Sequence, residues 1–156
     1  KINLKYVVLC EDLKVAEIKT AGVPNHKVKT LIVDINFDKR YFERSIHHEI
    51  FHMIDDSYKD LFSYEKWKEF NTPKFKYAEC STCTNKLDLS LINKSNGFLT
   101  EYSMSTASED MAELFSFLMT DSEHLKKILL KDTILTKKTL FLKSSIFKID
   151  NNFKFN

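Results

Sequence analysis

Glycine and proline are scarce, two residues each in a chain of 156. That scarcity argues against an all-β fold, which needs many tight turns. Cysteine is scarce too, and three residues make no disulfide framework. Cys80 and Cys83 form a lone CSTC. Without a second pair this is poor ground for structural zinc, and it reads as a loop disulfide or plain thiols. No apolar run approaches the roughly 18 residues that span a membrane, and no signal peptide is visible. Charge of one sign is also lacking. The formal net charge is +2 and the lysines are scattered, which argues against nucleic acid as a partner.

What is present points to one ordinary domain over residues 1–156 with a single core. Hydrophobic residues make up 43%, enough for a sizeable core, and thirteen Phe against one Trp make that core rich in rings. No internal repeat interrupts the chain. It begins at Lys1 rather than Met, as a trimmed or processed chain would.

The β-branched and aromatic run at residues 4–10 predicts a strand, and the run at 28–37 a stronger one. Residues 11–27 read as a connection. A helix is expected over about 38–56 with Asp38 as N-cap, and a short one near 64–70 inside a long insertion, residues 57–98. Further helices are expected at 107–120, capped by Ser105 or Thr106, and at 122–130, capped by Asp121. The tail at 134–149 reads as a helix broken near Ser144.

Three of the five histidines stand in SIHHEIFHMID, residues 45–55. At about 100° per residue, Phe42, Ile46, Ile50, Met53 and Ile54 form one apolar stripe, a face suited to a core. His48 and His52, four apart, share the opposite side, with Glu49 beside them. His47 turns elsewhere and is expected to be a bystander or a rim residue. The result is HExxH. Two imidazoles one helical turn apart can hold one Zn²⁺, and the glutamate can take a proton from water and pass it to a leaving amine.

Catalytic zinc usually takes a third protein ligand. The extended pattern HExxHxxGxxH fails here, since Asp55 and Tyr58 occupy its Gly and His positions. His26 and His124 read as exposed polar residues. The helix at 107–120 offers more. Met111, Leu114, Phe115 and Leu118 form its apolar stripe, and Glu109 and Glu113 lie together opposite. One carboxylate can bind the metal while the other accepts the free N–H of a ligating histidine. The bland alternative is a solvated acidic face. Tyr102, just before this helix and after the Asn96-Gly97 turn, can donate to developing negative charge near a metal, or simply pack.

At these residues the chain resembles the gluzincin metallopeptidases, and within them the branch holding the catalytic domain of anthrax lethal factor and the Pro-Pro endopeptidases. The shared pattern is HExxH, then Tyr102, then Glu109 seven positions on, then Glu113 in a Glu-x-x-Ala-Glu arrangement. HHEIFHMID and the stretch Trp67, Asn71, Phe75 and Tyr77 are similar to uncharacterised bacterial proteins assigned as zinc metallopeptidases. The resemblance implies that Glu109 is the third zinc ligand. It implies that Tyr102 binds the oxyanion and that Glu113 stands behind the ligands. It also implies a secreted or cell-envelope protein acting on a peptide or protein substrate. The CSTC insertion departs from both named enzymes, and nothing carries over their cleavage preferences.

The expected architecture is α+β and zincin-like. A small twisted mixed sheet packs on the HExxH helix, with further helices following, and residues 28–37 lie near the cleft edge where a peptide can add as a strand. The expected function is a zinc-dependent endopeptidase with Glu49 as general base. The rivals are a zinc-binding interaction module without activity and a metal-free helical domain.

Overall fold

The structure is a computed structural model that describes residues 4–85, 87–92 and 96–156. Its elements, in chain order, are β1 (Tyr6–Cys10), β2 (Lys14–Val15), β3 (Ile18–Lys19), β4 (Gly22–Asn25), β5 (Thr30–Asp34), α1 (Lys39–Ser57), α2 (Tyr64–Glu69), α3 (Ala107–Thr120), α4 (Ser122–Leu129) and α5 (Thr133–Ile149). This is a mixed α+β architecture.

The main sheet has the order β1-β5-β4, with β1 parallel and β4 antiparallel to β5. β5 is therefore the central strand and not the cleft edge expected for it. That edge is β4, where Pro24 is tolerated because an edge strand can dispense with one N–H. The expected connection at 11–27 in fact holds the β2–β3 hairpin as well as β4. Ala16 and Glu17 turn that hairpin with φ of 48° and 66°. Such turns normally advertise themselves with Asn or Gly, which explains the miss.

α1 follows β5 as expected, its first turn capped by Asp38, whose side chain accepts from the Arg40 N–H. It packs against α3 on one side and against β4 and β5 on another. The single-stripe reading of α1 therefore needs correction. Met53 and Ile54 are buried, but Phe42, Ile46 and Ile50 are only half-buried, and His48 and Phe51 are buried. α3 departs further, since every residue from Asp110 to Leu118 is buried, Glu113 and Ser116 included. Its acidic pair is thus not a solvated face.

The core joins Phe51 of α1 to Met111, Leu114 and Phe115 of α3, to Trp67 of α2, and to Leu135, Leu142 and Ile146 of α5. Phe51 lies 5.4 Å from Phe115 and 5.2 Å from Phe62, ring to ring, and further ring clusters join Trp67, Phe70 and Phe141, and Phe75, Tyr77 and Phe98. Thr106, rather than Ser105, caps α3. Asp121 precedes α4 but makes no capping hydrogen bond. α5 runs unbroken past Ser144. Cys80 and Cys83 form a disulfide. No described helix is long and apolar enough to cross a membrane.

Candidate metal centre

The α1–α3 contact brings the two motifs together. His48 Nε2 stands 2.8 Å from Glu109 Oε2, His52 Nε2 stands 3.2 Å from the same oxygen, and the two Nε2 atoms are 3.1 Å apart. Among the described residues, these three side chains form a group able to hold a metal ion.

Behind them, His48 Nδ1–H donates to Glu113 Oε1 at 2.9 Å. Glu113 is buried and fully engaged: its other oxygen accepts from the Thr100 hydroxyl at 2.8 Å and lies 3.8 Å from the Arg44 guanidinium. Burial works against charge on the His48 ring, but the bonds to Glu109 and Glu113 outweigh it and raise its pKa well above the histidine norm. Burial likewise pushes the Glu109 carboxyl up, and the two imidazoles overcome it, holding Glu109 below the usual carboxylate range. Glu113 is held low in the same way, by His48, Arg44 and Thr100 against burial.

These directions describe a site that demands positive charge. With its Nδ1–H committed to Glu113, neutral His48 presents only a lone pair at Nε2. Glu109 Oε2 is an acceptor in the same space, and a His52 with its proton on Nδ1 would add a third, a set of lone pairs that one shared cation would satisfy. Donors around a tetrahedral zinc at about 2.0–2.1 Å stand roughly 3.3 Å apart. The observed triangle has nearly that size, and two imidazoles with one carboxylate form a known catalytic zinc set. The residues present fit zinc.

Glu49 and Tyr102 line the same cleft, of about 560 Å³. Glu49 faces β4, where Gly22 leaves room for it. Burial raises the Glu49 pKa, against the pull of His48 and His52. Tyr102 lies in a short 3-10 turn, Tyr102–Met104, with its ring 5.8 Å from that of His48. Burial first, then the charges of Glu109 and Glu49, raise its pKa and keep the phenol protonated. His26 is not the isolated exposed residue expected. It lines the cleft and lies 3.4 Å from Asp56. His124 is exposed beside Asp121. His47 is half-buried and does not line the cleft.

Sequence reasoning missed Arg44, Thr100, Ser108 and Gly22. Arg44 sits one turn before His48, and Ser108 directly precedes Glu109. Those positions are a signal only once the helix contact is known. Thr100 and Gly22 carry no local signal at all.

Residues 14–149 match the model of a family described as "Putative zinc-binding metallo-peptidase". The chain belongs to this family. In keeping with it, the fold is similar to the crystal structure of a putative zinc-binding metallo-peptidase from Bacteroides caccae, with a TM-score of 0.53 at 16% identity. The likeness covers 76% of this chain and 48% of that one, so this chain spans about half the length of its neighbour. Identity that low speaks for the fold alone. No curated protein matches the chain. The family's description suggests zinc as the metal and peptide hydrolysis as the reaction.

Proposed function

We propose that the chain is a zinc-dependent endopeptidase of the gluzincin type, a single zincin-like domain akin to the branch of lethal factor and the Pro-Pro endopeptidases. The observation that carries this reading is the convergence of three possible ligand atoms, His48 Nε2, His52 Nε2 and Glu109 Oε2, beside Glu49 in one cleft. These three would hold the metal. When bound, zinc would supply Lewis acidity, polarising the scissile carbonyl and acidifying a water.

The chain's own residues would do the rest. Glu49, its pKa raised by burial, takes the proton of the attacking water and delivers it to the leaving amine nitrogen. Tyr102 keeps its proton and donates it in a hydrogen bond to the carbonyl oxygen as that oxygen gains charge. Glu113 holds His48 through Nδ1, leaving Nε2 free to ligate. The substrate is a peptide or protein segment laid in the cleft. The Cys80–Cys83 disulfide supports a secreted or cell-envelope site of action, since disulfides persist in oxidising compartments.

The test is cleavage of a peptide library by zinc-loaded protein, wild type against Glu49→Gln. The expected result is cleavage by the wild type and a loss of about 10²–10⁴-fold in the variant, with zinc content unchanged. Cleavage by Glu49→Gln at the wild-type rate overturns the mechanism. A zinc-loaded wild type that cuts nothing overturns the activity.

A further inference from the structure

β1 is the outer strand of the main sheet, on the side away from the β4 edge that borders the cleft. α1 packs against β4 and β5. β1 has no such cover: Tyr6, Val7, Val8 and Leu9 are 63%, 56%, 45% and 64% exposed. Successive side chains of a strand point to opposite faces, so both faces of β1 are open. Sheets commonly protect an apolar edge with a charge, a proline or a bulge. The β4 edge carries Pro24. The strand Tyr6–Cys10 carries none of these, and its register with β5 is unbroken.

The backbone is open as well. The Tyr6 N–H donates to the Lys29 carbonyl at 3.2 Å, and the Cys10 carbonyl accepts from the Ile35 N–H at 2.9 Å. Along a strand, the residues that turn their N–H and C=O toward a given neighbour alternate. Tyr6, Val8 and Cys10 therefore face β5, and Val7 and Leu9 direct their backbone groups away from it. Among the described residues, no strand pairs with that outer side.

These open groups limit the registers a second copy can take. In an antiparallel pair, opposed residues exchange two hydrogen bonds only when both turn their groups across the gap. A two-fold axis at Val8 meets this condition. Val7 of one protomer then opposes Leu9 of its partner, and Val8 opposes Val8 as a non-hydrogen-bonded pair. The same register sets Lys5 opposite Glu11. Both are exposed and flank the strand at its two ends, so the symmetry makes two attractive pairs. An axis at Val7 or at Leu9 also matches the backbone, but it sets Lys5 against Leu9 or Glu11 against Val7. Charge selects the axis at Val8, and the segment Lys5–Glu11 is complementary to itself.

We propose that β1 is a homodimer interface, paired antiparallel with β1 of a second copy about a two-fold axis at Val8. The pairing joins two three-stranded sheets into one and covers both apolar edges. It leaves the β4 edge and the cleft free on each protomer, and it is independent of the zinc reading. A self-complementary contact of this kind closes at the dimer. One strand pair is small for a protein interface, so a dissociation constant on the order of 10 µM is expected.

Sedimentation velocity over a concentration series measures the association. The proteins are wild type, Val7→Lys, Lys5→Glu, Glu11→Lys and the double swap Lys5→Glu/Glu11→Lys. Wild type is expected to pass from monomer to dimer and to form nothing larger. Val7→Lys, which sets a charge against Leu9 of the partner, is expected to stay monomeric. Each single swap opposes like charges twice and is expected to weaken the dimer by about 10-fold, while the double swap restores it. Cross-linking reads the register. In a Cys10→Ser background, Val8→Cys is expected to form disulfide-linked dimers with oxidised glutathione, because its Cβ atoms meet at the axis. Val7→Cys is expected to cross-link far less. The five substituted side chains other than Cys10 are exposed or flank the strand, and circular dichroism of each variant checks that the fold is kept. A wild type still monomeric at about ten times the expected constant overturns the proposal. Open-ended assemblies larger than a dimer also overturn it, as does association untouched by Val7→Lys and both single swaps, or cross-linking that favours Val7→Cys.

Discussion

The reach of Glu49 depends on a residue with no side chain. A Cβ on Gly22 would lie 2.8 Å from Glu49 Cγ and 3.2 Å from the Ile32 carbonyl oxygen. The backbone oxygen cannot move without disturbing β5, so the glutamate has to swing away. Gly22→Ala is therefore expected to leave zinc affinity nearly unchanged. It is expected to lower kcat/KM by roughly 10–100-fold, since a displacement of about 1 Å suffices for such a loss. Peptide cleavage measured beside zinc titration checks this, and cleavage by Gly22→Ala at the wild-type rate would refute it. At this scale His48, Glu49 and His52 were legible because their spacing on one helix is itself the geometry. Gly22 was illegible because its purpose is space for a residue 27 positions away, and it stands beside Val23 and Pro24 in what reads as a loop.

At the scale of elements, α3 is the piece everything else serves, and it is buried nearly all round. Its burial carries a charge with it. Asp110, next to Glu109, accepts from Trp67 Nε1–H at 2.8 Å, from the Tyr77 hydroxyl at 2.6 Å and from Lys138 Nζ at 2.7 Å. Lys138 comes from α5, is itself fully buried, donates to the Gly97 carbonyl at 2.7 Å and sits 3.9 Å from the centre of the Phe98 ring. Removing one partner of such a pair strands the other in a dry site. Lys138→Met is thus expected to destabilise the protein by about 3–5 kcal/mol, read from urea denaturation. A loss below about 1 kcal/mol would mean that Trp67 and Tyr77 satisfy Asp110 unaided. The helices themselves were legible from apolar spacing and caps. Their faces were not, because a helix wheel assumes one dry side and one wet side. α1 is covered by both the sheet and α3, and α3 by α1, α2, α4 and α5. A lysine at position 138 gave no hint that it points inward.

At the scale of the whole molecule, the site is also the seam. α1 and α3 form the main helix contact, and across it lie His48 and His52 on one side and Glu109 and Glu113 on the other. Without metal, the raised His48 pKa favours a proton on that ring, which would close the seam. That ring is faced by Glu109 and Glu113 of α3, by Glu49 and His52 of its own helix and by Tyr102, with Arg44 beyond Glu113. The sign of the resulting pH dependence follows from the raised His48 pKa. A group whose pKa is higher folded than unfolded stabilises the fold fully below its unfolded value, here 6.5. That contribution is lost as pH climbs through the folded value. Zinc bound by these ligands would take the place of that proton, so its binding is expected to compete with protonation and to strengthen as the pH rises. The metal-free protein is expected to lose thermal stability as pH increases above 6.5, while the zinc-loaded protein holds its melting temperature. The gap between them therefore widens with pH, and a hundredfold excess of zinc over its Kd corresponds to about 2.7 kcal/mol. Melting curves with zinc and with chelator, taken at several pH values on either side of 6.5, measure that gap. A zinc-induced shift that stays constant or shrinks as the pH rises would show that the seam is not held by a proton that zinc replaces.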